Sequence, residues 1–392
     1  MLERSAEKLG LVPATQRPEK ERRPRVDGRL VHPVFNDQPF KLGLFATNCS
    51  HGVTISEAET TYEATWEHTV KVAQKADELG FEALVPVARW RGFGSRTNFN
   101  GTSFETYTWA TGLAALTKNI GIFATSHLPT IHPIVAAKMA VTADHVSGGR
   151  FGVNMVMGWF SPEMEMFGAA QLEHDKRYEY GQEWVDFVNK LWTEEGSFDF
   201  ISDHFSSLDV EAYPKPVQGP RPALINAGNS PAGMEFSARN VDVNFAALDT
   251  VETMGGYTEK LKTMAREKYK RDIMAMTYGL VVCRPTEAEA KRDFDYIVEK
   301  GDRDGANNVM KVLGMQSQSF ASQIESYQDR FIAGWGGYPV VGTPEQVTDE
   351  LIRIHKTGGM NGMLLGLLDY NEELDYFGEA VMPLLKQAGL RI

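Results

Sequence analysis

The sequence is poor in several things, and each shortage closes off a class of function. It has two cysteines, Cys49 and Cys283, in 392 residues. That leaves no disulfide framework and no zinc set, and it suits a reducing cytoplasm. No apolar run approaches the roughly 20 residues that a spanning helix needs, so no membrane partner is expected. Positive charge is outnumbered: 40 Lys and Arg stand against 52 Asp and Glu, a formal net charge of −12. Nucleic acid and anionic lipid demand a clustered positive field, so neither is an expected partner. Met1 is followed by charge rather than an apolar core, and Arg22-Arg23 by Pro24, Arg25 and Asp27, so no secretory or twin-arginine signal is expected. The chain has no GxxxxGK phosphate loop, no HExxH and no GxSxG. Its nine histidines are scattered. His127 and His132 could approach a metal, but no carboxylate cluster accompanies them, so no metal site is expected.

What is present points to a packed α/β protein. The chain is 42% hydrophobic, too apolar for disorder. Residues 1–39 stand apart, with five of the 18 prolines and eight Lys and Arg against six acidic residues. They read as an extended arm, either a Pro-stiffened surface segment or one that wraps a neighbouring subunit. From Lys41 onward, short apolar runs alternate with amphipathic stretches. The predicted strands are Lys41–Ala46, Ala83–Val87, Ile120–Thr125, Phe151–Val156, Ala223–Ala227, Val243–Ala246, Thr277–Val282 and Gly362–Leu368. Nearly continuous apolar character is how a parallel strand covered on both faces reads.

Between them lie helix signals. Tyr62, Trp66, Thr69, Val70 and Ala73 share a face, and Gly80 ends that helix. Thr286 with Glu289, and Thr343 with Pro344 and Gln346, spell helix starts. Eight strand–helix repeats favour a (β/α)8 TIM barrel with insertions over a doubly wound sheet, so 40–392 is expected to form one barrel. Residues 195–218 read as a hairpin insertion. Residues 302–340, rich in Gly, Asn, Gln and Ser, read as a long insertion able to act as a lid.

Several segments carry candidate chemistry. In SGGRFGVNMVMGW (Ser147–Trp159), Asn154 interrupts an apolar strand. Its side chain needs partners, supplied either by a ligand at the strand's C-terminal end or by a neighbouring strand or loop. In AGNSPAG (Ala227–Gly233), small residues including Gly228 let the backbone approach an anion. Ser230 could hold a phosphate at the helix start, or simply cap the helix. In HDKRYEY (His174–Tyr180), Arg177 and Tyr178 offer a charged contact and a hydroxyl, or a solvated face. Thr125 places a polar group at the end of the third strand. RWRGFG (Arg89–Gly94) suits a ligand-touching loop without completing a dinucleotide fingerprint.

Taken together, GGRFGVNMVMGW, AGNSPAG and HDKRYEY make the chain resemble the bacterial-luciferase-like flavin monooxygenases, from about Lys41 to Leu385. The RGFG loop, the ATS after the third strand and the GWxxPE run are most similar to the branch that opens the uracil ring. The C-terminal GTPEQV…EELDYFGEAVMPLL is also similar to sulfone monooxygenases. The resemblance implies an FMN-dependent enzyme that takes reduced FMN (FMNH2) from a separate NAD(P)H:flavin reductase, with O2 as co-substrate. It implies oxidation of a small heterocycle or amide with C–N cleavage through a flavin peroxide. Flavin contacts carried over are Ala88, Arg89, Asn154, Glu163, Arg177, Tyr178, Gly228 and Ser230. Val85, Thr125 and Asn154 match the oxygen pocket, with Val85 standing where the uracil enzymes have leucine and Arg89 where they have lysine. Phe93 and Trp159 are expected to wall a flat substrate. A cytoplasmic homo-oligomer, dimer or tetramer, is implied as well. The alternatives are a sulfone or sulfonate monooxygenase using a basic cluster of Arg89, Arg91 and Arg96, a deazaflavin-dependent oxidoreductase, and a non-catalytic flavin-binding protein.

Overall fold

The computed structural model describes residues 25–26, 29–60, 64–314 and 324–392. After a two-residue ladder within the arm, the strands in chain order are β1 (Lys41–Phe45), β2 (Ala83–Val85), β3 (Gly121–His127) and β4 (Phe151–Val156). A hairpin pair follows, β5 (Phe198–Ile201) and β6 (Ser206–Val210). Then come β7 (Ala223–Asn226), β8 (Val243–Ala246), β9 (Met274–Cys283), β10 (Val340–Gly342) and β11 (Gly362–Gly366). Eight of these pair in parallel as the ring β1-β2-β3-β4-β7-β8-β9-β11, and β11 returns to β1. This is the closed barrel that the eight apolar runs predict, and the hairpin falls inside 195–218. The short β10 pairs only with the far end of β9.

The helices that matter below are α1 (Trp66–Glu78), α2 (Thr106–Leu116), α3 (Pro133–Ser147), α4 (Ser161–Met166), α5 (His174–Thr193) and α6 (Pro231–Asn240). They continue as α7 (Val251–Tyr269), α8 (Glu287–Glu299), α9 (Arg303–Val312), α10 (Ile324–Gly334) and α11 (Pro344–Lys356). Both predicted capping boxes form, Thr286 with Glu289 at α8 and Thr343 with Gln346 at α11. The first helix departs from expectation. It begins only at Trp66, capped by Thr65, so its buried stripe is Thr69, Val72, Ala73 and Ala76. Trp66 is largely exposed, and Tyr62 lies outside the described residues.

Side chains along each strand alternate between two cores. Leu84 joins the shell between strands and helices with Leu42, Leu44, Trp109 and Trp184, whereas Ala83 and Val85 join the barrel interior with Phe45, Phe123 and Phe245. Burying each large apolar side chain contributes roughly 1.5–3 kcal/mol, which is why strands covered on both faces are mostly apolar.

The end of the arm does more than lie on the surface. His32 and Val34 are buried at the N-terminal rim of the barrel, and His32 packs on Phe123 at 4.7 Å. A Cβ on Gly121, the first residue of β3, would fall 2.2 Å from His32, so only glycine lets the plug seat. The rim is tied from the other terminus too. Arg391 Nη1 lies 2.7 Å from Glu82 Oε2, both side chains buried, and Glu82 also accepts the N–H of Leu42. Residues 1–24 and 27–28, where a wrapping role would reside, lie outside the described residues.

Among its described residues, the insertion expected at 302–340 holds two helices, α9 and α10. The strip Ala306, Val309 and Met310 of α9 packs with Phe331 and Ile332 of α10 against Phe93, Phe99 and Phe160. Asp302 anchors it by accepting from Gly305 N–H at α9, from Thr97 N–H and hydroxyl, and from the Ser95 hydroxyl, at 2.7–3.0 Å. One carboxylate thus joins the insertion to the loop after β2.

Candidate active site

A cavity of about 700 Å³ opens at the C-terminal ends of the strands. Its wall draws on Phe45 from β1, Pro86 to Arg89 after β2, Thr125 and His127 from β3, Asn154 from β4 and Phe245 from β8. The insertion covers it with Val312, Tyr327, Arg330 and Trp335. Trp335 stacks on Phe45 at 6.0 Å. Side chains that point inward at the upper ends of strands have no further layer above them, so the fold itself creates this hollow.

Thr125 and Asn154 are register partners on β3 and β4. The Thr125 hydroxyl donates to Pro86 O at 2.5 Å and accepts from Asn154 Nδ2 at 3.0 Å. With the hydroxyl proton committed to a carbonyl, Asn154 can meet Thr125 only with its N–H₂ side. Asn154 Oδ1 therefore faces the cavity, buried and without a protein partner among the described residues. An orphaned acceptor in a cavity wall calls for a ligand.

The opposite side gathers Arg177 and Tyr178 from the first turns of α5 and Ser230 from the start of α6. Arg177 Nε is buried with no partner among the described residues. Ser230 caps α6 by accepting the Gly233 N–H at 3.1 Å, and the Tyr178 hydroxyl bonds to Ser230. Burial pushes the Tyr178 phenol up, against the pull of Ser230 and the Arg177 charge, so it stays a neutral donor. A Cβ on Gly228 would fall 2.7 Å from the Tyr178 oxygen and from Asn226 Oδ1. The small residue is what lets loop and tyrosine close up. A guanidinium, two hydroxyls and a helix N-terminus converging in one corner suit an anion.

The floor beside β3 holds a buried ionic cluster. Glu163, 0% exposed, lies 3.2 Å from Arg89 Nη1 and 3.1 Å from His127 Nδ1, and accepts the Trp90 N–H at 2.7 Å. Burial pushes its carboxyl up, but the His127 hydrogen bond, the Arg89 charge and the Trp90 N–H outweigh that and hold it below the ordinary range. It is therefore ionised. Arg89 is buried too, with Phe93, Phe160 and Trp159 within 4.8–5.4 Å of its guanidinium carbon.

Of the expected site residues, Ala88, Arg89, Thr125, Asn154, Trp159, Arg177, Tyr178, Gly228 and Ser230 line the cavity. Three do not. Val85 is enclosed in the barrel interior. Phe93 backs the cavity wall, stacked behind Trp159 at 6.0 Å. Glu163 lies behind Arg89 and His127, as their counter-charge rather than as a cavity wall. The proposed basic cluster also fails to converge: Arg91 is exposed, and Arg96 is mostly exposed and paired with Glu57. The residues missed are His127, Arg330 and Trp335. Among the described residues, no group of three or more His, Cys, Asp or Glu could hold a metal ion, and no helix is long and apolar enough to cross a membrane.

The comparisons with known proteins agree with this geometry. A family profile for luciferase-like monooxygenases matches residues 40–361. Pyrimidine monooxygenase RutA of Acinetobacter baylyi is 32% identical over 354 residues, covering 88% of this chain and 94% of the relative. Among solved structures, riboflavin lyase RcaE, determined with modified FMN and riboflavin, superposes with a TM-score of 0.81 at 20% identity, covering 90% of this chain and 92% of that one. DmoA from Hyphomicrobium sulfonivorans follows at 0.79 and 20%, covering 90% and 89%. The likeness to these two structures is one of fold.

Proposed function

The chain belongs to the luciferase-like monooxygenase family, and from that premise we propose that it is the oxygenase of a two-component system. It takes reduced FMN from a separate NAD(P)H:flavin reductase in the cytoplasm, uses O2, and oxidises a small heterocycle or amide with cleavage of a C–N bond. The observation that carries this reading is one cavity whose orphaned polar atoms include both Arg177 Nε and Asn154 Oδ1. The first asks for an anion and the second for a hydrogen-bond donor. A flavin mononucleotide offers a phosphate and a ring with N–H groups, and about 700 Å³ lies within the roughly 300–1,000 Å³ of small-molecule sites.

Arg177, Tyr178 and Ser230 would hold the phosphate, with Gly228 allowing close backbone approach. Ala88, Arg89 and Asn154 would border the ring. Reduced FMN, when bound, supplies the activation of dioxygen and the oxygen atom that reaches the substrate. The chain's own groups orient, shield and manage charge. Asn154 keeps one N–H and its Oδ1 for the ligand, held in that sense by Thr125. The Thr125 proton is already given to Pro86, so this side chain works as an orienting acceptor more than as a donor. Tyr327, Phe331 and Trp335 of the insertion exclude water from above.

The lack of a converging Arg91–Arg96 cluster favours an amide or heterocycle over a sulfonate. The test combines purified protein, a flavin reductase, NADH, FMN and 18O-labelled dioxygen with a panel of heterocycles, amides, sulfones and sulfonates, read by mass spectrometry. Incorporation of one labelled oxygen into a ring-opened or deaminated product is expected. Sulfite release instead would replace the substrate class. No FMN-dependent oxygen uptake with any substrate would refute the reading.

A further inference from the structure

His127 is a buried titratable side chain at the barrel mouth that the reading above leaves unused. It ends β3, two residues beyond Thr125 and so on the same side of the strand. It lines the main cavity and also a second cavity of about 260 Å³, with Thr130, Ser126, Ile131 and Met139. Its Nδ1 lies 3.1 Å from Glu163 Oε2. Glu163 is ionised, fully buried and shared with Arg89 at 3.2 Å, so it can only accept. A buried carboxylate this close favours the proton on Nδ1, and Nε2 is the nitrogen left to exchange a proton across the cavity. A carboxylate that orients an imidazole from behind is an arrangement for proton transfer. A purely packing histidine has no need of a buried carboxylate.

We propose that His127 is the general acid for C–N cleavage in this barrel. The inference rests on the reading of the site as a monooxygenase acting on an amide or heterocycle. An amide nitrogen leaves poorly as an anion, so the step needs a proton donor. Oxygen, supplied by dioxygen and the reduced flavin, first bonds to the carbonyl carbon and leaves an oxyanion there. The C–N bond then breaks and its electron pair goes to nitrogen. The oxyanion lone pair forms the new C=O, and the nitrogen takes the proton from His127 Nε2. The ring is left neutral and regains a proton from water through the second cavity. Glu163 and Arg89 are positioning residues here: one favours this tautomer, and the other balances the carboxylate.

The experiment compares wild type with H127Q, whose amide N–H can still serve Glu163, and with the shorter H127N. Substrates form a series of amides whose leaving amines range from strongly basic to nitroaniline-like. Expected is a loss of about 10²- to 10⁴-fold for the basic leaving groups, and little loss for the nitroaniline-like one, which needs no acid. Added imidazole should restore part of the loss, and FMN affinity by fluorescence titration should stay within about threefold of wild type. An equal loss across the series, no loss at all, or loss of FMN binding in both variants would overturn the assignment and make His127 a structural residue. Failure of the underlying reading is separable. It would appear as wild type that consumes no oxygen with reduced FMN, which would remove the inference as well.

Discussion

Replacing Arg177 by alanine and Ser230 by alanine separates binding from folding at the anion corner. Arg177 Nε has no protein partner among the described residues, so R177A breaks no hydrogen bond made by that atom. Its unfolding free energy should change by no more than about 0.5 kcal/mol. Toward a phosphate the same side chain makes a charge-assisted contact worth about 1.5–3 kcal/mol, so the FMN Kd should rise about 10- to 150-fold. Ser230 behaves differently because it caps α6 through Gly233 N–H at 3.1 Å. S230A should cost about 1 kcal/mol of stability without ligand and weaken FMN only about 2- to 10-fold. The assay is flavin fluorescence titration together with urea unfolding, with and without FMN. At FMN near 100 times the wild-type Kd, the ligand adds about 2.7 kcal/mol; a variant binding 100-fold more weakly gains only about 0.4. R177A with a Kd within twofold of wild type would refute the assignment of this corner to phosphate.

Other outcomes follow from the same geometry. Asn154→Ala should retain FMN but lose about 10²-fold in oxygenation, measured as product formed per reductase turnover; near-normal coupled turnover would remove Asn154 from the oxygen chemistry. Glu82→Ala strands the buried Arg391 and should cost about 3–5 kcal/mol in urea unfolding, while FMN affinity at the opposite end of the barrel stays unchanged. Burial pushes the Asp302 carboxyl up, but Thr97, Ser95 and Gly305 outweigh this and hold it below the ordinary carboxylate value. Its stabilising effect is therefore complete above the unfolded value of roughly 3.9 and is lost as pH falls through the lower folded value. Hydrogen exchange at residues 95–97 should rise at acid pH in wild type, and D302N should exchange faster already at neutral pH with little further acid response.

The eight strands were legible because a parallel strand between two apolar layers leaves an unbroken apolar run. That same property hid the direction of Val85. With both faces apolar, alternation gives no phase, and the structure turns Val85 into the sealed interior. Asn154 and Thr125 stood out as polar residues in such runs, but their pairing depends on β3–β4 register, which no local pattern encodes. The cluster of Arg89, His127 and Glu163 was illegible for a related reason. Its members come from the loop after β2, the end of β3 and the helix α4, and a glutamate in a short helix such as SPEMEM looks like a solvated one. Composition hid the helices of the insertion: its Asn and Gly stood out, although Ala306, Val309 and Met310 carry the i, i+3, i+4 spacing of a buried helix face.

The contact from Asn154 to Thr125 to the Pro86 carbonyl also has a sense, like a one-way street. Both hydrogen bonds in it run the same way, and the terminal proton sink is a backbone carbonyl that cannot reverse. The polarity that the site shows its ligand is thus set two residues away from the ligand, by a peptide group that side-chain mutation cannot remove. Exchanging the Thr125 hydroxyl for the methyl of valine would cut that street in the middle and release the Asn154 amide to turn over. An acceptor would become a donor with no change at position 154 itself. A site of this kind can invert the hydrogen-bond preference of its ring end through a change at a neighbouring side chain.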